Sequence, residues 1–548
     1  MYIDTSKSIQ REKIYTRHLL RETYREGGKI KHRTIANLSG LPDKVIAAMK
    51  LALRHKDNLS VLVDVNGIEM KQGMRIGAVF CLKVLADRLG LMKALGTDQQ
   101  GKLALWQVMA RIINQGSRLS AVRLAESHAA CDIMGFNAFN EDHLYANLAW
   151  LSKNQEVIEK RLFKHRYGAA PPRLFLYDVT SSYLEGMCNA FGAFGYNRDG
   201  KKGKQQIVVG LLTAHDGAPV SVRVFTGNTQ DPKTVADQIS ALVNRFGVKD
   251  VVFVGDRGML KQPQIDVLND HRFHYITAIT KAQIQKLIND GSFQMSLFDE
   301  DLGEVEIDGV RYIFRRNPQR VDELSASRTD KLKNLQRLLD KQNLYLAGHP
   351  RAKVEVAIKK VTEYAKKLKL HDWITVTVDE RHLEIHFDRE GCEQAAQLDG
   401  CYVLKTDLPA TEDSARVIHQ RYKDLAQVEW AFRTFKRGHL EIRPTFVQSE
   451  ESTRGHVLVI MLAYLLEREL SGYWRDLNIT VAEGIDELSS LRGVEIAIGD
   501  ATCQKVPRPA DLNEKLLRLA DVRLPVVLPL RKVHVATRKK LATERKRK

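Results

Sequence analysis

Residues 173–279 constrain this chain more than any other stretch. They hold five short apolar runs: RLFLYDV, QQIVVGLLTA, PVSVRVFTG, VKDVVFVGD and residues 273–279. Runs this short, rich in Val, Ile, Leu and Phe and bounded by turn residues, read as buried strands. His215-Asp216-Gly217-Ala218 reads as a hairpin turn between the second and third. Two helical patterns separate the later runs: DPKTVADQISALVNRF, opened by Asp231 and Pro232, and residues 262–269. The predicted order is strand, strand, strand, helix, strand, helix, strand. That order requires a mixed α/β sheet.

The flanks differ in pattern. Residues 1–56 mix short β-like and helical patterns, and residues 74–165 show mostly helical periodicity. Residues 281–397 break the sheet rhythm and read as an insertion. They hold a hairpin-like stretch (304–315), a charged helical pair (about 321–345 and 351–369) and two strands (373–378 and 383–387). GCYVLKTDL then resumes the sheet, and residues 414–435 read as one strong helix. The apolar run 457–466 is half the ~20 residues a bilayer span needs and reads as a core helix. Four regions are expected: a basic, helical DNA-binding or docking region (1–165), a catalytic domain (166–280 and 398–445), an insertion (281–397) and a helical C-terminal region with a basic tail (446–548).

The chain has 85 Lys+Arg against 67 Asp+Glu. The surplus is concentrated at the two ends. Residues 1–56 carry 13 basic and 5 acidic residues, and residues 531–548 carry 9 basic and one acidic. Basic ends on a near-neutral body suit a polyanion partner, most often nucleic acid. None of the six cysteines forms a C-x-x-C pair, which suits a reduced compartment. His382, His386, Cys392 and Cys401 are spaced superficially like a zinc set. The two histidines, however, alternate with Leu383, Ile385 and Phe387 and fall on a solvent face.

Three acids stand out by position. Asp178 is expected to end the first strand, and Asp256 to end the fourth. Glu429 lies in the late helix, YKDLAQVEWAFRTFK. Tyr422, Glu429 and Lys436 are spaced by seven, about two turns, so one helix would carry them as a stripe. Trp430, Phe432 and Phe435 call for burial of that helix. Three converging carboxylates suit a pair of Mg²⁺ ions about 3.5–4 Å apart acting on a phosphodiester. The loop GYNRDGKKGKQQ places Arg198, Lys201, Lys202 and Lys204 among three glycines between the first two strands, a candidate run of phosphate contacts.

This pattern resembles the ribonuclease-H-like fold of DDE transposases. Tyr422-x2-Leu425-x3-Glu429-x6-Lys436 resembles the Y-x2-R-x3-E-x6-K signature of one insertion-sequence branch, which also carries an insertion before the Glu. DVTSSY, GDRG and GNTQDPKT resemble its other blocks. The resemblance implies that Asp178, Asp256 and Glu429 bind metal: two Mg²⁺ ions, with Mn²⁺ able to substitute. It also implies that Tyr422 and Lys436 contact transposon-end DNA. One departure stands out. Leu425 occupies the signature's Arg position, and Arg433, four residues after Glu429, is the candidate replacement.

The implied function is cut-and-paste transposition of an insertion sequence. Its partners would be double-stranded DNA, both inverted ends and target, with a homodimer in the synaptic complex. A bacterial, cytoplasmic and nucleoid-associated protein with no membrane partner is implied. The alternatives are a Mg²⁺-dependent nuclease of the same fold and an inactive sequence-specific DNA-binding protein.

Overall fold

The computed structural model describes residues 1–10, 13–57, 68–437, 440–498, 501–529, 531, 533, 535 and 537. Most of the basic tail therefore lies outside the described residues.

The chain begins with strands β1 (Tyr2–Gln10), β2 (Lys13–Glu26) and β3 (Lys29–Asn37), then α1 (Asp43–Arg54) and β4 (Ile68–Arg75). Helices follow: α2 (Gly77–Arg88), α3 (Leu91–Leu95), α4 (Gln99–Ile113), α5 (Arg118–Ser127), α6 (Ala130–Met134) and α7 (Glu141–Tyr167). The central sheet uses β5 (Leu174–Tyr183), β6 (Gln206–Ala214), β7 (Pro219–Thr226), β8 (Val252–Gly255) and β9 (His274–Ala278), with α8 (Asp231–Ser240) and α9 (Gln262–Asp270) between the later strands. Next come α10 (Lys281–Asn289), β10 (Gly303–Ile307), β11 (Val310–Arg316), α11 (Pro318–Gly348), α12 (Val354–Lys367), β12 (Ile374–Asp379), β13 (His382–Phe387), α13 (Arg389–Ala396) and β14 (Cys401–Thr406). The chain continues through α14 (Ala415–Lys423), α15 (Ala426–Arg437), α16 (Glu450–Tyr473), α17 (Val481–Ser490), β15 (Arg492–Ile498), β16 (Ala501–Lys505), α18 (Asp511–Leu519) and β17 (Val527–Leu528).

Two compact units result. The first combines residues 1–80, 127–135 and 487–533. Its β1–β2–β3 sheet is antiparallel, and β4 pairs with β15 in a second sheet of order β17-β16-β15-β4. The C-terminal region, expected to be helical, thus also supplies strands. Arg492–Ile498 is RGVEIAI, a short β-branched pattern whose partner lies more than 400 residues earlier in the chain.

The second unit holds an eight-stranded sheet of order β10-β11-β14-β9-β8-β5-β6-β7. Within it β5, β8 and β9 run parallel, while β6 and β7 extend the sheet as an antiparallel meander on the β5 side. This is the mixed α/β sheet that the apolar runs predict. β6 is buried along its whole length, and Phe175, Tyr177, Val208, Leu212 and Phe253 join one core with α8 and α9 residues. Gly210 is obligatory here, because a Cβ would meet the Tyr177 hydroxyl at 2.2 Å. The hairpin β10–β11 and strand β14 extend the same sheet beyond β9, so residues 303–316 belong to it. A separate small core forms among α11, α12, β12 and β13. The apolar run 457–466 is buried within α16, which packs on α4, α7 and β7. No helix among the described residues is long and apolar enough to cross a membrane.

Glu467 sits on α16 with its Oε2 enclosed and without a hydrogen-bond partner. Burial pushes its pKa up to about 8. The folded chain therefore keeps a proton that the unfolded chain loses near pH 4.3, and stability falls as pH rises from there towards 8. Glu467→Gln, which mimics the protonated acid, is expected to flatten that slope. It should add about 2 kcal/mol at pH 8, read from urea unfolding at pH 5 and pH 8.

Candidate active site

Asp178 is the fifth residue of β5 and does not end the strand as expected. The reason is that β5 has two neighbours of different length. On one side β6 stays paired as far as Tyr183↔Gln206. On the other, β8 pairs only from Leu174↔Val252 to Tyr177↔Gly255. Beyond Gly255 the chain folds back, with Met259 N–H donating to Asp256 O at 2.9 Å. Asp178 and Asp256 are thus the residues that directly follow the last pair, Tyr177↔Gly255.

Asp178 is half-buried and Asp256 exposed. Burial pushes the Asp178 carboxyl up to about 7. The Val179 N–H, 2.7 Å from Oδ1, and the Arg198 charge pull it down, while the charges of Asp256 and Glu429 push it up. The charges of both other acids thus reach Asp178. Among the described residues, no three His, Cys, Asp or Glu side chains stand close enough to share one ion.

The signature segment is not one helix. α14 ends at Lys423 and α15 begins at Ala426, with Asp424 and Leu425 in a turn. Leu425 N–H and Val428 N–H donate to carbonyls three residues back, Tyr422 O and Leu425 O, which tightens the chain there. The expected stripe from Tyr422 to Lys436 is therefore divided. Tyr422 lies on α14, which packs on β8 and β9, and its hydroxyl donates to Asp256 Oδ1 at 3.3 Å. Glu429 and Lys436 lie two turns apart on α15, which packs on β5 and β6. Val428, Ala431, Phe432 and Phe435 bury the sheet face of α15 and leave Glu429 exposed.

Trp430 departs from expectation. It is 59% exposed, because it falls on the side of α15 away from Phe432 and Phe435. The Arg433 guanidinium lies 5.4 Å from its ring centroid, within cation–π range.

Lys436 Nζ is 2.7 Å from Asp199 Oδ1 and so ties α15 to the loop between β5 and β6. In that loop Arg198 pairs with Asp231 at 2.5 Å and Lys204 with Glu185 at 3.4 Å. Lys201 Nζ lies 5.8 Å above the Tyr183 ring, and Lys202 is exposed. Sequence reasoning missed Asp199, the acid in the middle of the basic loop and the partner of Lys436. It also missed Arg257, whose charge acts on Tyr422. Its signal was available in GDRG, directly after Asp256.

The mixed sheet thus carries Asp178 within β5 and Asp256 directly after β8, and Glu429 lies on α15, which packs on β5 and β6. Residues 169–466 match the Transposase DDE domain family, more than half of the chain, and residues 3–60 match the IS1634 family transposase, N-terminal domain. The chain belongs to the DDE transposases of insertion sequences. It is an enzyme that cleaves DNA and transfers strands, and its class uses divalent metal ions. Comparison with curated protein sequences finds no match. A solved structure similar to this chain is the "piggyBac transposase synaptic complex with hairpin DNA", at 6% identity and a TM-score of 0.37, covering 82% of each chain.

Leu425 is half-buried in the turn, so Leu425→Ala is expected to cost about 1 kcal/mol, below the ~2–5 of a fully buried leucine. Arg433→Ala should leave stability nearly unchanged and lower the slope of log K against log salt for DNA binding by about one. Thermal unfolding and DNA affinity across a salt series check both.

Proposed function

We propose that Asp178, Asp256 and Glu429 are the metal-binding carboxylates of this transposase. Support for this reading is that both aspartates directly follow the last β5–β8 pair and that the charges of Asp256 and Glu429 act on Asp178. The donor set is carboxylate oxygen with no thiolate or imidazole, which fits Mg²⁺, with Mn²⁺ able to substitute. Glu429 is exposed on α15 and free to turn between rotamers. When bound, a pair of Mg²⁺ ions supplies an activated water or 3′-hydroxyl and stabilises the leaving oxygen.

The remaining work falls to the chain's own groups. The Tyr422 hydroxyl donates to Asp256 and fixes that carboxylate's orientation. Lys436, Arg433 and the loop cations Arg198, Lys201, Lys202 and Lys204 hold DNA phosphates. Several of these cations are already paired with exposed or half-buried acids. Such pairs are worth ~0–1 kcal/mol, so a phosphate displaces the acid at little cost. We assign the protein to cut-and-paste transposition of its own element: binding of double-stranded inverted ends, synapsis as a homodimer, and insertion into target DNA at the bacterial nucleoid. The catalytic domain is proposed as 166–280 and 398–445, with the hairpin 303–316 extending its sheet and the rest of 281–397 inserted. Residues 1–165 are proposed as a DNA-binding or docking region, and 446–548 as a C-terminal region with a basic tail.

Asp178→Asn, Asp256→Asn and Glu429→Gln should each abolish Mg²⁺-dependent end cleavage and strand transfer while leaving DNA affinity within about twofold, since shape is kept and one metal-binding charge is lost. Labelled-end assays in Mg²⁺ and in Mn²⁺ read the outcome. Near-normal turnover in any variant removes that residue from the site.

A further inference from the structure

Residues 441–447, after α15, line a cavity of about 30 Å³ that has no assigned role. Three guanidiniums line it, from Arg111, Arg118 and Arg443, against one carboxylate, Glu441. Arg111 and Arg118 are each only 6% exposed. Burial lowers their pKa values to about 10 and about 9, and the Arg111 charge lowers that of Arg118 further. Glu441 pairs within the cavity with Arg443, accepting Nε at 2.8 Å and Nη2 at 2.5 Å, and its charge also reaches Arg111, so one carboxylate stands against three guanidiniums.

His456 adds no charge. Burial and the two arginines hold its pKa far below the usual range. The neutral ring donates from Nε2 to Ile442 O at 3.1 Å, which leaves Nδ1 to accept from Arg118 Nη2 at 3.2 Å. Arg118 Nε is enclosed without a partner. A buried charge without full compensation is costly, and removing its counter-charge costs several kcal/mol.

We propose that this cavity is an anion site that receives the non-bridging oxygens of a DNA backbone phosphate. Its volume matches two water-sized atoms, at ~10–15 Å³ each. The unpartnered N–H is Arg118 Nε, and guanidinium N–H groups are the donors that phosphate oxygens accept. Phe446, at the rim, is 62% exposed and offers a face for a sugar or base. The site is tied to the catalytic strand, because the Arg443 guanidinium bonds the Tyr183 hydroxyl at the end of β5. Tyr183 lies five residues beyond Asp178, roughly 17 Å along an extended strand. On the proposed assignment of the carboxylates, the phosphate held here is a flanking one and not the one being cut.

The test uses the full chain in metal-free buffer. Millimolar inorganic phosphate should raise Tm above that in chloride at equal ionic strength. Arg118→Met and Phe446→Glu should abolish this rise and lower the salt slope for a short DNA duplex by about one. Arg118→Met should also raise Tm in chloride, since it removes an uncompensated charge. A merely structural arginine would lower it. Should Arg118→Met fail to fold, the exposed Phe446→Glu decides alone. No phosphate-specific rise, or one that survives in Phe446→Glu, overturns the site. A rise lost in the variants with an unchanged DNA salt slope assigns it to free phosphate and overturns the DNA contact.

Discussion

The parallel pairing of β5 with β8 is the constraint on which the site depends. β8 has only four residues, all buried, and stops at Gly255, where Leu260 packs close behind. β5 has ten and continues under the cover of β6. The difference in length opens an edge in the middle of the sheet. Asp178 sits at that edge with its backbone still held in a ladder. A rigid carboxylate is thereby obtained without a loop, and its neighbour Asp256 comes from the turn that ended β8.

The electrostatics follow from this placement. An acid held partly inside a sheet and facing two other acids resists ionisation, which is why the Asp178 pKa rises to about 7. The protein carries a large positive surplus, yet the proposed metal-binding acids form a negative point. The cations stand around that point on the loop after β5 and on α15, many of them in exchangeable ion pairs. A polyanion can thus be drawn in by the periphery and presented to a centre that would otherwise repel it.

Much of the sheet was legible because burial on both faces writes continuous apolar runs, as in QIVVGLLTA of β6. The two aspartates were legible as acids following such runs. The mid-strand position of Asp178 was not, because a strand's end depends on which neighbour is considered, and the neighbour is remote in sequence. The break at Asp424–Leu425 was hidden by helical periodicity that continues across it. Trp430 was expected to be buried on residue type alone, although its position between Glu429 and Ala431 puts it on the outer face. The pairing of β4 with β15 had no local signal at all, since it joins chain segments more than 400 residues apart.

The divided signature helix changes what its spacing means. In an unbroken helix, seven residues fix a shared face, and a single inserted residue would rotate everything beyond it by about 100°. Here Tyr422 rides on a helix seated over β8 and β9, and Glu429 on another seated over β5 and β6. The seven residues therefore act as a tether of set length between two separately anchored supports. What that interval supplies is reach: enough chain to let Tyr422 on one support meet Asp256 after β8 while Glu429 rides on the other, over the strand that carries Asp178.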